Sequence, residues 1–378
     1  MTKDIRNLGM VYVLYSLVAI SSAYAQAQQA QADQTAQEPK GKVWGYFFGD
    51  LFWKAGGENP GWGRYEYAKT DKNTVGGRLR RMYFGYDYKI SDVFFTRLIL
   101  EGNENVTTAQ GNFGVLVKLG YLEWKNPFNL IPNSTLRGGL IATPVFAYPE
   151  KSWAYRSIEK EALDLRGFSQ SSDQGLALDI DFNSNKTMGI TLMGGNGTGT
   201  KPGVNRKMEY YVSIYKKLLN KKLSFELMGN YKKFTDSTDR IIGRLFASYE
   251  TSKFRWGLEV SEASVNETVS GKNAEVIPFV FSVYTSFMPY ARKESLRAFL
   301  RFDLYDPDLR YKTGQTYLSP SQNYREMTYI AGLELAIHKN VKVTPNVSIN
   351  SYHPNASEIL PRKADVVPRI TLYWLFGS

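Results

Sequence analysis

The residues in this chain best equipped for chemistry are arginines on the polar phase of segments in which bulky apolar groups recur at every second position. Phe254, Trp256, Leu258 and Val260 alternate with Arg255, Gly257, Glu259 and Ser261. Leu296, Ala298, Leu300, Phe302 and Leu304 alternate with Arg297, Phe299, Arg301, Asp303 and Tyr305. A guanidinium is a planar fork of donors that matches phosphate and carboxylate oxygens, so a row of them along one face attracts anions. The same phase, followed along the chain, places Arg81, Arg97, Lys118, Arg137, Arg240, Arg244, Arg255, Arg297, Arg301 and Arg369 on the polar face. It also places Asp87, Glu101, Asp179, Asp181, Glu226, Glu259, Asp303, Glu326 and Glu334 there. The two signs nearly balance, so the net charge of +11 does not by itself make that face strongly positive. Part of the excess sits in Lys216, Lys217, Lys221 and Lys222, clustered at an expected turn.

Other chemistries find little support. With no cysteine in 378 residues, disulfide scaffolds, thiolate metal sites and cysteine nucleophiles are excluded. His338 and His353 are the only histidines, and no serine stands near either at a hydrolase spacing. The run Gly194-Gly195-Asn196-Gly197-Thr198-Gly199 lacks the Lys-Ser/Thr of a phosphate-binding loop, and no helical pattern follows it. No enzyme activity, cofactor or metal is therefore expected, and no nucleic-acid partner.

Period-two alternation specifies strands. A helix would bring Arg297 and Arg301 together but would send Asp303 and Leu304 to unrelated faces. Strands are expected at 43–53, 78–89, 93–103, 114–125, 135–143, 174–182, 187–195, 206–217, 222–233, 239–250, 252–262, 274–288, 294–305, 324–338, 341–351 and 364–377. That is about 16 segments, most near the 9–11 residues that a tilted strand needs to cross a bilayer. Connections after even-numbered strands are mostly tight (Lys89–Asp92, Asn183–Lys186, Asn220–Lys221, Thr251, Lys339–Asn340). Those after odd-numbered strands are mostly long: 54–77, 104–113, 144–173, 196–205, 263–273, 306–323 and 352–363. Short turns at one rim and long loops at the other mark the periplasmic and extracellular ends of a transmembrane barrel. The expected fold class is all-β: a transmembrane antiparallel β-barrel of about 16 strands, over 42–378.

The N-terminus reads as an export signal at 1–25. Lys3 and Arg6 form a positive start, Met10 to Ile20 a short apolar core, and Ala23-Tyr24-Ala25 a small-x-small cleavage site. The apolar run is too short for the roughly 20 residues of a spanning helix. Residues 26–41, rich in Gln and Ala, read as a flexible periplasmic lead-in. Trp44, Tyr86, Trp124, Trp256 and Trp374 suit the aromatic girdles of membrane interfaces.

The longest connection, 144–173, mixes Pro144 and Pro149 with a short helical pattern around Ile158 to Leu165, and its aromatic content argues against disorder. With this third long loop, the chain resembles the general and substrate-selective porins. It is most similar to the phosphate-selective (O/P-type) porin family, through GGRLRRMYFGYDYKISDVFFTRLILEG at 76–102, LRGGLIATPVF at 136–146 and WAYRSIEKEALDLRGFSQSSDQGLALDI at 153–180. VVPRITLYWLFG at 366–377 looks like a closing strand, although the chain ends in Gly-Ser rather than in the common terminal aromatic. The architecture matches over most of the chain, the sequence only in those stretches.

The resemblance implies a passive outer-membrane channel for small hydrophilic solutes, possible preference for anions such as phosphate, contact with outer-membrane lipids and a possible homotrimer. It also implies that loop 144–173 folds into the barrel as a constriction carrying Arg156, Glu159, Lys160, Glu161 and Asp164. One arrangement sets Arg244, Arg255, Arg297 and Arg301 across the pore from Glu159, Glu161 and Asp164; the alternative is ordinary ion pairing between neighbouring strands. Arg156 and Lys160 either offer cations to a passing anion or tie the loop to the wall. Trp153, Tyr155 and Phe168 read as loop-packing residues. A second role, surface attachment by a barrel with no open pore, fits the same sequence.

Overall fold

Strands with one apolar and one polar face escape exposed edges in lipid only by closing into a ring. The computed structural model of the chain shows that closure, and it describes residues 40–59, 63–203, 207–269, 272–289, 295–311, 323–357 and 359–377. The expected signal peptide and residues 26–39 of the lead-in lie outside the described residues. The strands are β1 (Lys40–Trp53), β2 (Val75–Lys89), β3 (Phe94–Thr107), β4 (Phe113–Lys125), β5 (Ser134–Ala142), β6 (Ser172–Asp181), β7 (Met188–Gly195), β8 (Glu209–Leu218) and β9 (Leu223–Lys233). They continue with β10 (Asp239–Glu250), β11 (Phe254–Val269), β12 (Lys272–Val276), β13 (Phe279–Phe287), β14 (Leu296–Asp306), β15 (Tyr324–His338), β16 (Val341–Pro354) and β17 (Asp365–Phe376). Neighbours in the wall pair antiparallel, and β1 pairs with both β2 and β17, from Gly45 opposite Phe376 to Phe52 opposite Arg369. Because β12 and β13 both pair with β11 and share one position in the wall, the closed barrel has 16 strands.

Three local departures have physical causes. The strand expected at 274–288 is interrupted at Ile277–Pro278. Proline offers no N–H to the ladder, and the Ile277 N–H instead donates to Asp308 Oδ1 at 3.0 Å. The expected loops 104–113 and 263–273 are hairpin extensions in which pairing continues to Thr107–Phe113 and Val269–Lys272. Polar residues such as Glu104, Asn105, Ser264 and Asn266 hide the alternation there, while the backbone ladder is indifferent to it.

The two faces of the wall are inverted relative to a water-soluble protein. On β10, Ile241 and Leu245 are 56% and 61% exposed, whereas Arg244 between them is 1% exposed. Apolar outside and polar inside is what a wall between lipid and an aqueous lumen requires. Tyr86 and Trp374 face outward, as do Trp256, among Phe254, Leu300 and Phe302, and Trp124, against Phe94 and Phe128. Trp44 departs from the expected girdle. It shares the inner face with Tyr46, Phe48 and Asp50, stacks on Tyr46 at 6.2 Å, and covers Gly85, where a Cβ would meet the indole at 2.2 Å.

Candidate functional site

The longest described connection, 143–171, carries two short helices, α1 (Ala147–Trp153) and α2 (Ala162–Arg166). Glu161 caps α2 by accepting from the N–H groups of Asp164 at 2.6 Å and Leu163 at 3.1 Å. Gly167, with φ +69°, ends it in the left-handed conformation that favours glycine. The loop lies across the inner face of β6–β15. Val145, Phe146, Leu163 and Phe168 pack with Met193, Met228, Ile242 and Tyr305. Trp153, Tyr155 and Ile158 pack with Phe246, Tyr284, Phe299 and Ile330. The Trp153 ring lies 5.3 Å from Tyr284, and its Nε1 donates to the Glu159 carbonyl at 2.9 Å. Trp153, Tyr155 and Phe168 thus pack the loop against the wall.

An irregular loop inside a barrel carries carbonyls that need donors. Four arginines supply them or anchor the loop. Arg244 pairs with Glu226 at 2.5 Å and donates to the Val145 carbonyl. Arg301 pairs with Asp303 at 2.6 Å and donates to the Lys160 carbonyl at 2.6 Å. Arg80 reaches the carbonyls of Ser157 at 2.8 Å and Ile158 at 3.1 Å while paired with Asp50 at 3.0 Å. From the loop itself, Arg166 pairs with Glu326 at 2.6 Å and donates to Thr328 Oγ1 at 2.8 Å.

This corrects the expected field across the pore. Arg244 and Arg301 lie beneath the loop at 1% and 4% exposure, and Glu159 and Glu161 are buried at 1% and 2%. Only Asp164 of that acidic trio lines open space. The remaining wall arginines mostly form the neighbouring-strand pairs of the alternative reading. Arg97 is bidentate to Asp87 at 2.7 Å and Arg137 binds Asp179 at 2.8 Å, whereas Arg240 on β10 reaches over β9 to bind Glu209 of β8 at 2.8 Å. Arg81 is buried beside Glu101 at 3.3 Å, and Arg369 is buried on Asn346 and Ser348 at 2.7 and 2.8 Å. Arg255 lies 3.5 Å from Glu250, and Arg297 donates to the Ser252 carbonyl at 2.6 Å at the short-turn rim.

Two features escape the alternation. A register shift between Phe48 and Gly49 sets Arg81 opposite the first and Leu79 opposite the second, so Arg80 is an extra, inward residue that strict period two assigns to lipid. The connection after β1 also folds inward. Tyr65, Tyr67 and Ala68 pack with Phe52, Val367 and Leu165, and Lys54 is buried against Asp365 at 2.7 Å. Arg64 ties it to the carbonyl of Arg166.

The long loop packs mainly on β6–β15 and is tied to β2 by Arg80, and open space remains between it and part of β1–β5. A cavity of about 430 Å³ is lined on the wall by Tyr46, Tyr83, Ile99, Lys118 and Leu119, and on the loop by Phe146, Glu150, Lys151, Arg156 and Asp164. Lys118 and Leu119 both face it because a second bulge, between Ile99 and Leu100, lets two consecutive residues point inward. Lys118 pairs with Glu101 at 3.4 Å and donates to Ser171 at 2.7 Å. Arg156 stands 3.7 Å from Glu150 and 3.8 Å from Asp164, and Lys160 3.8 Å from Asp164. Burial holds the Glu150 carboxyl above its ordinary range, although Arg156 pulls it down.

No family model matches this sequence. No curated protein matches it either. Solved structures do match. The anion-selective porin of Comamonas acidovorans superposes with a TM-score of 0.61 at 12% identity, over 90% of this chain and 100% of that one. The outer membrane channel DcaP of Acinetobacter baumannii gives 0.64 at 10% identity, over 91% and 99%. OmpF of Salmonella typhi, solved with daunomycin, gives 0.60 at 11% identity, over 89% and 98%. The fold is that of the outer-membrane porins. At these identities the likeness is one of architecture.

Proposed function

We propose that the protein is a passive diffusion channel of the bacterial outer membrane for small hydrophilic solutes, favouring anions, phosphate among them. The observation that carries this reading is the cavity left between the long loop and β1–β5. Three basic side chains (Lys118, Lys151 and Arg156) line it against two acidic ones (Glu150 and Asp164). In a narrow space with low-dielectric walls, one excess positive charge biases which ions enter. The half-buried Arg97, Arg137, Arg255 and Arg297 extend a polar inner face beyond the cavity. The chain reaches the outer membrane after export and loss of residues 1–25, contacts lipid along its apolar exterior, and assembles as a homotrimer in this reading.

The test is the reversal potential of purified protein in a planar bilayer under a KCl gradient. Anion preference supports the proposal. Cation preference removes the selectivity, and a protein that inserts without conducting favours the surface-attachment role instead.

A further inference from the structure

The cavity walls are chemically unlike each other. On the wall side Tyr46 and Tyr83 stand with ring centroids 4.6 Å apart, and Ile99 and Leu119 continue that surface. Trp44 stacks on Tyr46 at 6.2 Å with 8° between the planes, and Tyr373 lies 5.9 Å from Tyr46. Across the lumen, comparable rings such as Phe246, Tyr284 and Phe299 are covered by Trp153 and Tyr155 of the loop. Tyr46 and Tyr83, on β1 and β2, line the cavity instead, Tyr83 at 7% exposure.

Arg156 lines the same cavity from the loop side. Its separations from Glu150 and Asp164, 3.7 and 3.8 Å, are too long for hydrogen bonds. Among the described residues its buried Nη1 has no hydrogen-bond partner, as is also true of one nitrogen each of Arg80, Arg166 and Arg244. Arg80, Arg166, Arg244 and Arg301, by contrast, all donate to the loop or to the wall that holds it. Arg156 is therefore the loop arginine that lines the cavity, its side chain 19% exposed, without a hydrogen bond to the wall.

An inorganic anion uses only the charged part of this site, because the ring faces of Tyr46 and Tyr83 and the side chains of Ile99 and Leu119 give it no hydrogen bonds. A solute with a flat apolar body and one carboxylate uses both parts: the ring against Tyr46 and Tyr83, the carboxylate on Arg156. Resting on the anion-channel reading above, we propose that this cavity is a binding site for aromatic monocarboxylates, which the channel takes up in preference to small or inorganic anions.

The full-length protein in a planar bilayer tests this with benzoate, acetate and inorganic phosphate added to a KCl background. Benzoate is expected to reduce the current at concentrations about three- to tenfold below acetate or phosphate, the range a single aromatic contact supports. Tyr46→Leu keeps apolar bulk without a ring and should abolish that difference; Tyr46→Phe should retain it. Arg156→Gln should weaken the benzoate block. Equal block by benzoate and acetate, stronger block by phosphate, or a full difference in Tyr46→Leu overturns the proposal. The KCl reversal potential in the same membranes separates the two levels: anion preference with no benzoate effect defeats this inference alone, whereas cation preference defeats the reading beneath it.

Discussion

Replacing Arg301 by Met tests whether buried guanidinium groups hold the long loop against the wall. Arg301 donates to Asp303 through Nε at 2.8 Å and Nη2 at 2.6 Å, donates to the Lys160 carbonyl at 2.6 Å, and lies 5.0 Å from the centre of the Trp153 ring. Met keeps an apolar stem against Trp153, so the loss is mainly electrostatic. Asp303, 1% exposed, is left with the Ser282 hydroxyl at 2.7 Å. Stranding one partner of a buried ion pair costs about 3–5 kcal/mol. At 1.4 kcal/mol per tenfold, the docked state of the loop loses a factor of about 140 to 3,700. The strand ladder is untouched, so the damage concentrates in the loop. Single-channel recording should show excursions to larger conductance and greater open-channel noise. The double variant Arg301→Met with Asp303→Asn removes the stranded charge and should regain most of the steadiness. Wild-type conductance and noise in the single variant, or a double variant no better than the single, would refute the reasoning.

Other outcomes follow from the same geometry. Because the Glu150 carboxyl is held above its ordinary range by burial, it gains its proton while pH is still above that range, and the cavity becomes more positive. Anion preference should rise as pH falls through that raised value, and Glu150→Gln should raise it at neutral pH and flatten the response, as read by reversal potential against pH. Trp153→Ala removes a side chain 1% exposed, at a cost of about 3–5 kcal/mol. Limited proteolysis of the folded barrel should then cut near residues 147–166, sites protected in the wild type. Gly257→Ala would place a Cβ 2.2 Å from the Tyr284 ring, which packs under Trp153. The expected result is a lower temperature for the shift in gel mobility that accompanies barrel unfolding; an unchanged temperature would mean that the ring yields freely.

The lumen shows where sequence reasoning stops. Arg97 with Asp87 and Arg137 with Asp179 are neighbouring-strand pairs that alternation alone brings to one face. Arg80 was hidden because one extra residue in a bulge reverses the phase, and nothing in RLRR says where the bulge falls. Residue type alone points Trp44 to a lipid girdle, yet its phase matches Asp50 and Phe48 on the inner face. The inward packing of Tyr65 and Tyr67 depends on Leu165 and Val367, about 100 and 300 positions further along the chain.

What the sequence determined by itself is the barrel: which segments are strands, how many surround the lumen, and which rim carries the long loops. Alternation and turn length are local properties, and each strand repeats them, so a misread residue in one place is outvoted elsewhere. What only the tertiary structure decided is access. Arg244 and Arg301 occupy the same face as Arg97, but the loop covers the first two, because its unpaired carbonyls draw the donors within reach. Whether an inward arginine meets a solute or a backbone is thus set by contacts across 99 and 141 positions of sequence, and no local pattern records them.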